Sequence, residues 1–210
     1  MGRGHGAVAR SRGLRRPADR EAEDRSMRVV LGVSGASGAA LAAACARHLS
    51  ALGAEIDLVI SKAGERTLVE EIGPEAADAL RAQATRVHAI MNVGAAIASG
   101  SAPVAGMIVA PCSMRSLAAI AHGLDDNLLT RAASVQLKER RRLVLLARES
   151  PLTLAHLRNM TAVTEMGGIV APPVPAFYLR PESLAAAVEQ IAARAVDLLG
   201  LGRPQAQAWE

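Results

Sequence analysis

From Met27 onward the chain alternates short apolar, β-branched runs with longer helix-forming segments, and this alternation constrains the fold more than any other feature. Residues 28–33, 55–60, 106–110, 143–147 and 168–171 read as strands, because short continuous apolar runs mark strands covered on both faces. Residues 39–52, 61–71, 113–121, 128–139, 152–166 and 183–199 read as helices, two of them opened by the capping hydroxyls of Ser61 and Ser113. Pro111 is expected to close the third strand, and residues 172–175 to form a stiff proline loop. Strands alternating with helices imply an α/β fold, a mainly parallel sheet wrapped on both faces. Ligands of such sheets bind outside the carboxyl ends of the strands.

Composition narrows the possibilities. The 210 residues suit one domain, residues 27–210, preceded by a leader over residues 1–26 that is expected to be disordered. That leader holds seven Arg against four acids, so the formal charge of +4 leaves the remainder close to neutral. Phe177, Tyr178 and Trp209 are the only aromatics, and the core must be built from Ala, Val, Leu and Ile. Nucleic acid is excluded as a partner, since neither a basic stripe nor stacking aromatics is visible. Cys45 and Cys112 are too few for a disulfide framework and lack metal-ligand spacing, which suits a reducing, cytoplasmic location. No apolar run reaches the ~18 residues of a membrane span.

The first strand leads into Ser34-Gly35-Ala36-Ser37-Gly38. Small residues before a helix let a phosphate approach free backbone N–H groups at the positive end of the helix dipole. The turn is not a Walker A motif, as no Lys-Ser/Thr follows, and it is not a full dinucleotide fingerprint. The ribose-binding acid of that fingerprint would have to be Glu55 or Asp57. Ser61 and Ser113 stand at the ends of two further strands, so three hydroxyls are expected to line one crevice. Cys112 reads as a small buried residue, with no local His to activate it. Arg131 and Lys138 are seven apart on one helix face and could jointly hold an anion. Arg148-Glu149 sits at another strand end, where a charged pair costs stability unless used or paired. Tyr178 follows the rigid loop with a free hydroxyl, and Arg194 on the last helix could reach the same place.

Taken in order, these segments resemble the flavin prenyltransferases, the UbiX-type proteins, over nearly everything from Met27 to Glu210. The stretches that carry the resemblance are Ser34-Gly-Ala-Ser-Gly-Ala39, Ser61-Lys62-Ala63, Ser99-Gly100-Ser101, Pro111-Cys112-Ser113, Leu129-Thr-Arg-Ala-Ala133, Leu137-Lys-Glu-Arg-Arg141, His156-Leu-Arg158 and Pro175-Ala-Phe-Tyr178. No one of them is specific alone; the ordered set is. The resemblance implies a flavodoxin-like (Rossmann-like) three-layer sandwich. It further implies joining of the dimethylallyl group of dimethylallyl phosphate to N5 and C6 of reduced FMN, which yields prenylated FMN for a UbiD-type decarboxylase. A homododecamer with its sites at subunit contacts is implied as well.

Residue by residue, the resemblance assigns FMN binding to Gly35, Ala36, Ser37, Ser61, Arg148 and the turn Ser113, Met114, Arg115, Ser116, with Ser37 near the reacting N5. Lys138, Tyr178 and Arg194 match residues that grip the prenyl phosphate. Glu149 and Glu71 match acidic residues implicated in catalysis, and a glutamate of raised pKa could take the C6 proton or protonate departing phosphate. Trp209 matches a tail Trp that closes over the prenyl group, and Arg131 a motif Arg of less definite role. An allylic cation needs π faces and a dry pocket, and its leaving phosphate needs fixed positive charge. Lys138, Arg148 and Arg194 can supply that charge without metal. Leu41-Ala42, Arg142 and Leu179 depart from the family's usual Tyr-Gly, Pro and His, which bears on the pocket wall near Leu41. An FMN carrier or accessory subunit of a decarboxylase, without transferase activity, is the alternative. A decarboxylase of the phosphopantothenoylcysteine type fits poorly, since Pro-Cys-Ser-Met stands where its Pro-Ala-Ser-Ala-Asn-Thr loop belongs.

Overall fold

The first strand, β1 (Arg28–Val33), lies at the centre of the sheet because nearly all of its side chains are apolar and need cover on both faces. Val29, Leu31 and Val33 point into one hydrophobic cluster and Val30 into the other, the period-2 alternation of a strand. This computed structural model describes residues 27–209 together with Met1; the rest of the expected leader, residues 2–26, lies outside the described residues. Beside β1 run β2 (Glu55–Ile60), β3 (Arg86–His88), β4 (Gly106–Cys112), β5 (Arg142–Ala147) and β6 (Ile169–Val170). All pairs are parallel, in the order β3-β2-β1-β4-β5-β6. Without the three-residue edge strand β3, the order reduces to that of flavodoxin. The expected flavodoxin-like three-layer sandwich is therefore what forms.

Helices cover both faces. Among the described residues they are α1 (Ala39–Ala51), α2 (Lys62–Glu71), α3 (Ala76–Gln83), α4 (Met114–Ala121), α5 (Leu128–Lys138), α6 (Leu154–Glu165) and α7 (Leu184–Asp197). The first cluster joins α1 and α7 to the sheet through Ala39, Ala42, Ala46, Ala192 and Ala195, and the second joins α4 and α5 through Leu117, Ile120, Leu129 and Ala133. Small residues let α1 and α7 lie close, which is how a core nearly without aromatics packs. No helix of the described residues is long and apolar enough to cross a membrane.

Several boundaries differ from the sequence reading. β4 does not stop at Ala110 but runs through Pro111 to Cys112, with a bulge between Val109 and Cys112, a place where a strand tolerates proline. α6 begins at Leu154, not at 152, because Thr153 is its N-cap: the Thr153 hydroxyl accepts from the His156 amide and the His156 ring accepts from the Thr153 amide. α3 and β3 went unread. β3 is three residues long, too short to show a period, and it is pinned by the buried Asp57 carboxylate, which pairs with His88 (2.7 Å) and with Arg28 (2.9 Å). This pairing and full burial leave Asp57 no access to a ribose.

Candidate active site

The chain leaves β1 for one side of the sheet and returns to β4 on the other, so a crevice opens between the carboxyl ends of these two strands. Ser34 fastens its floor. The buried Ser34 hydroxyl donates to the Pro111 carbonyl (3.0 Å) and accepts from the Ser113 amide (2.8 Å), while the Ser34 amide also donates to Pro111 (3.2 Å). Ser34 was missed because a polar residue at a strand end reads as part of a turn; only the crossover makes it a clamp. Gly35 then packs on the first turn of α2: a Cβ there would collide with the Cβ of Ala63. Gly38 adopts φ 110°, the left-handed region that favours glycine. Ala36 is buried and Ser37 is exposed to the crevice mouth.

The N-terminus of α1, expected to offer its N–H groups to a phosphate, offers two of them to a side chain instead. The Gly38 and Ala39 amides both donate to Glu71 Oε2 at 2.8 Å. This corrects the simplest reading of the turn: with Glu71 seated, a ligand phosphate cannot use those two donors. The expectation of a glutamate with raised pKa also fails at this position. Burial pushes the Glu71 carboxyl up, but the Ser37 side chain, the Ala39 and Gly38 amides and the nearby Arg148 charge together outweigh it and hold it below its usual value.

The other strand ends bring hydroxyls and one cation to the crevice. Ser61 caps α2, accepting from the Gly64 amide (3.0 Å), and its own amide donates to Val33 (2.9 Å), so it sits beside the end of β1. Ser113 caps α4, accepting from the Ser116 amide (3.3 Å) and donating to the Ser116 hydroxyl (3.2 Å). Arg148, just past β5, donates from Nε to the Ser37 carbonyl (3.1 Å). Arg148 and Glu149 thus do not pair with each other; exposed Glu149 accepts from the Ser150 amide (3.0 Å). Two residues of the α4 turn separate from the crevice: the Met114 side chain enters the core, and Arg115 pairs with Asp126. Cys112 is buried, which pushes its thiol up to about 12, as expected of a structural cysteine.

Tyr178 and Arg194 meet, as expected, in a cavity of about 490 Å³ at the carboxyl edge of β5 and β6, lined also by Leu146, Ala171 and Pro172. Leu146 is two residues before Arg148, so cavity and crevice share that edge. Tyr178 lies in a single 3-10 turn, Phe177–Leu179, and Trp209 meets it edge to face, ring centroids 4.8 Å apart. Trp209 thus packs its ring against Tyr178 while staying largely exposed. Lys138, by contrast, is not brought to this place. It ends α5 just before β5 begins, whereas Arg148 follows β5's end, and a strand of that length spans roughly 17–20 Å. It pairs with Glu139 beside Gly100. Nor do Arg131 and Lys138 hold an anion jointly, because Arg131 pairs with Asp125 (3.0 Å) and donates to the Ala98 carbonyl (3.3 Å).

Comparison with known proteins bears on what this edge serves. A family model described as Flavoprotein matches residues 17–196. The flavin prenyltransferase UbiX of Neisseria meningitidis serogroup B is 51% identical over 183 residues, covering 87% of this chain and 96% of that protein. The crystal structure of AnUbiX (PadA1) in complex with FMN and dimethylallyl pyrophosphate superposes with a TM-score of 0.83 at 43% identity, covering 88% of this chain and 97% of that one. A dodecameric FMN-dependent UbiX-like decarboxylase from Escherichia coli O157:H7 gives a TM-score of 0.83 at 43% identity, covering 88% of this chain and all of the other.

Proposed function

This chain belongs to the UbiX-type flavin prenyltransferase family, and we propose that it joins the dimethylallyl group of dimethylallyl phosphate to N5 and C6 of reduced FMN. One observation carries the reading: a crevice lined by hydroxyls and Arg148 lies on the same sheet edge as a cavity lined by Tyr178 and Arg194, with the Trp209 ring against Tyr178. The donors fit a flavin. Ser37, Ser61 and Ser113 carry hydroxyls just past the carboxyl ends of β1, β2 and β4, with Arg148 beside Ser37, and Gly35 and Ala36 add little bulk there. Of the rest of the expected set, Ser116 acts by orienting Ser113, Met114 by packing beneath the turn, and Arg115 from its rim.

Reduced FMN supplies the nucleophilic N5 and C6. The protein's share is charge, π surface and proton transfer. Arg148 and Arg194 stabilise the leaving phosphate as negative charge gathers on it, and the C–O bond breaks toward these cations without need of a metal. Tyr178 donates its hydroxyl to that phosphate. The Tyr178 and Trp209 rings shield the allylic cation from water. N5 gives up its proton as it bonds the allyl methylene. For the second bond the middle alkene carbon gains a proton, which the released phosphate can return, the tertiary carbon bonds C6, and the C6 proton leaves to exposed Glu149 or through it to phosphate. Glu71, held as a carboxylate, serves by fixing Ser37 and the start of α1.

We further propose that the site is completed by a second copy of the chain, whose Lys138 adds the third cation, within a homododecamer. Support comes from the dodecameric structural neighbour and from apolar side chains left exposed on this subunit, Leu152, Leu154 and Leu157 among them. The product, prenylated FMN, goes to a UbiD-type decarboxylase, and the protein works in the cytoplasm. Anaerobic incubation with reduced FMN and dimethylallyl phosphate tests the reading. The flavin recovered is expected to gain the mass of one dimethylallyl group less a proton, with one phosphate released per flavin. An unchanged flavin mass would leave the FMN carrier as the surviving function.

A further inference from the structure

We infer that Gln190 and Asp197 are positioning residues that clamp the C-terminal segment as a wall of the prenyl-phosphate cavity and so set where Trp209 stands. The inference rests on the function proposed above for Tyr178, Arg194 and Trp209. After α7 the chain reverses through Gly200, which takes φ 70°, and residues 205–208 return along α7 toward its start. Four backbone hydrogen bonds hold them, all made by two side chains. The two oxygens of Asp197 accept from the Gln205 amide (2.8 Å) and the Ala206 amide (3.0 Å). The amide group of Gln190 reads Gln207 in both directions, donating to its carbonyl (3.1 Å) and accepting from its N–H (3.2 Å).

The spacing gives the clamp its meaning. Gln190, Arg194 and Asp197 are separated by four and then three residues, so they share one face of α7. Arg194, the cation expected at the prenyl phosphate, therefore lies between the two clamping residues. All three line the cavity together with Ala206, Gln207 and Ala208. The returning segment crosses beside Arg194 and closes that side of the cavity. One residue beyond it, Trp209 meets Tyr178. A third tie fixes the segment to α1: His48 Nδ1 lies 2.9 Å from Gln205 Oε1, and His48 Nε2 lies 3.0 Å from Glu189. Side chains that meet backbone groups specify a path for the chain whatever residues it carries. No reacting group is touched by Gln190 or Asp197, so their effect must pass through Trp209 and the wall.

Trp209 and Tyr178 are the sole Trp and Tyr of the chain, so intrinsic fluorescence reports on this contact alone. Gln190→Ala in the full chain is expected to lower Trp209 anisotropy and raise its quenching by acrylamide. It is also expected to raise KM for dimethylallyl phosphate on the order of five- to thirtyfold, as loss of one or two hydrogen bonds implies. Affinity for FMN should be unchanged. Asp197→Asn, which keeps one acceptor, should shift the same readouts less and serves if Gln190→Ala does not fold. Unchanged Trp209 anisotropy and quenching would overturn the clamp. Altered fluorescence with unchanged KM would overturn its role at the cavity. If the wild-type protein transfers no prenyl group, the proposed function fails, and the fluorescence arms still decide the clamp.

Discussion

At the scale of single residues, the two candidate glutamates separate by what surrounds them. Glu71 takes two helix amides and lies near Arg148, and its carboxyl is held below the usual value of 4.5. A group with a depressed folded pKa stabilises the fold above its unfolded pKa and ceases to do so as pH falls through the folded pKa. Urea unfolding of the wild type should therefore show a stabilising contribution that is level above pH 4.5 and declines below it, and Glu71→Ala should lack that slope. The same variant should lose about 1–2 kcal/mol at neutral pH, the cost of removing a charged helix cap. Glu149 has no such anchors beyond the Ser150 amide. Glu149→Gln is expected to slow turnover on the order of 10²–10⁴-fold, the usual worth of a general acid or base, with FMN still bound. Single-turnover flavin mass measurements check it; full retained rate would remove the assigned role.

At the scale of elements, the crevice is held open by the seating of one turn on one helix. The β1–α1 turn can reach Ser37 and Arg148 only because Gly35 lies against Ala63 and Gly64 against the Val33 carbonyl, each with no room for a Cβ. Gly35→Ala must push α2 away from β1. The expected cost is about 1–3 kcal/mol, typical of forcing an added methyl into a filled site, accompanied by weaker FMN binding. Gly94, where a Cβ would meet only the Asn92 side-chain oxygen at 3.7 Å, is the control: Gly94→Ala should stay within about 0.5 kcal/mol of wild type. Thermal unfolding and flavin titration of the pair would distinguish a specific turn from general intolerance to alanine.

At the scale of the whole molecule, the single chain leaves Lys138 apart from its other two cations. β5 keeps Lys138 at the amino edge of the sheet and Arg148 at the carboxyl edge, where Arg194 lines the neighbouring cavity. If the site forms between copies, two damaged subunits can repair one another. Lys138→Ala and Arg194→Ala should each lose activity, and co-expression of the two should restore turnover above either alone, since some mixed contacts carry both residues. No recovery, in particles whose mass is twelve times the 21.8 kDa chain, would mean that Lys138 acts within its own subunit or not at all.

Local pattern alone determined most of the frame. The five main strands, the helices flanking them and the carboxyl edge as the place of binding follow from apolar periodicity, capping hydroxyls and the small-residue turn at Gly35. The ordered motifs added the family and the residues Ser37, Arg148, Tyr178, Arg194 and Trp209, which the structure gathers at that edge. Other features were invisible because they are long-range. Glu71 is 33 residues from Gly38, Ser34 is 79 from Ser113, and no local pattern predicts which donor a carboxylate or hydroxyl will meet. The Arg131 and Lys138 spacing was read correctly as one helix face, yet a face does not say which end of the sheet it serves. Periodicity is a property of neighbours along the chain, whereas the partner of a charge is fixed only when parallel crossovers fold distant strand ends side by side. The tertiary structure thus decided that Glu71, not a ligand phosphate, takes the first amides of α1, and that Lys138 stands a strand's length from the edge that carries Arg148 and the cavity of Tyr178 and Arg194.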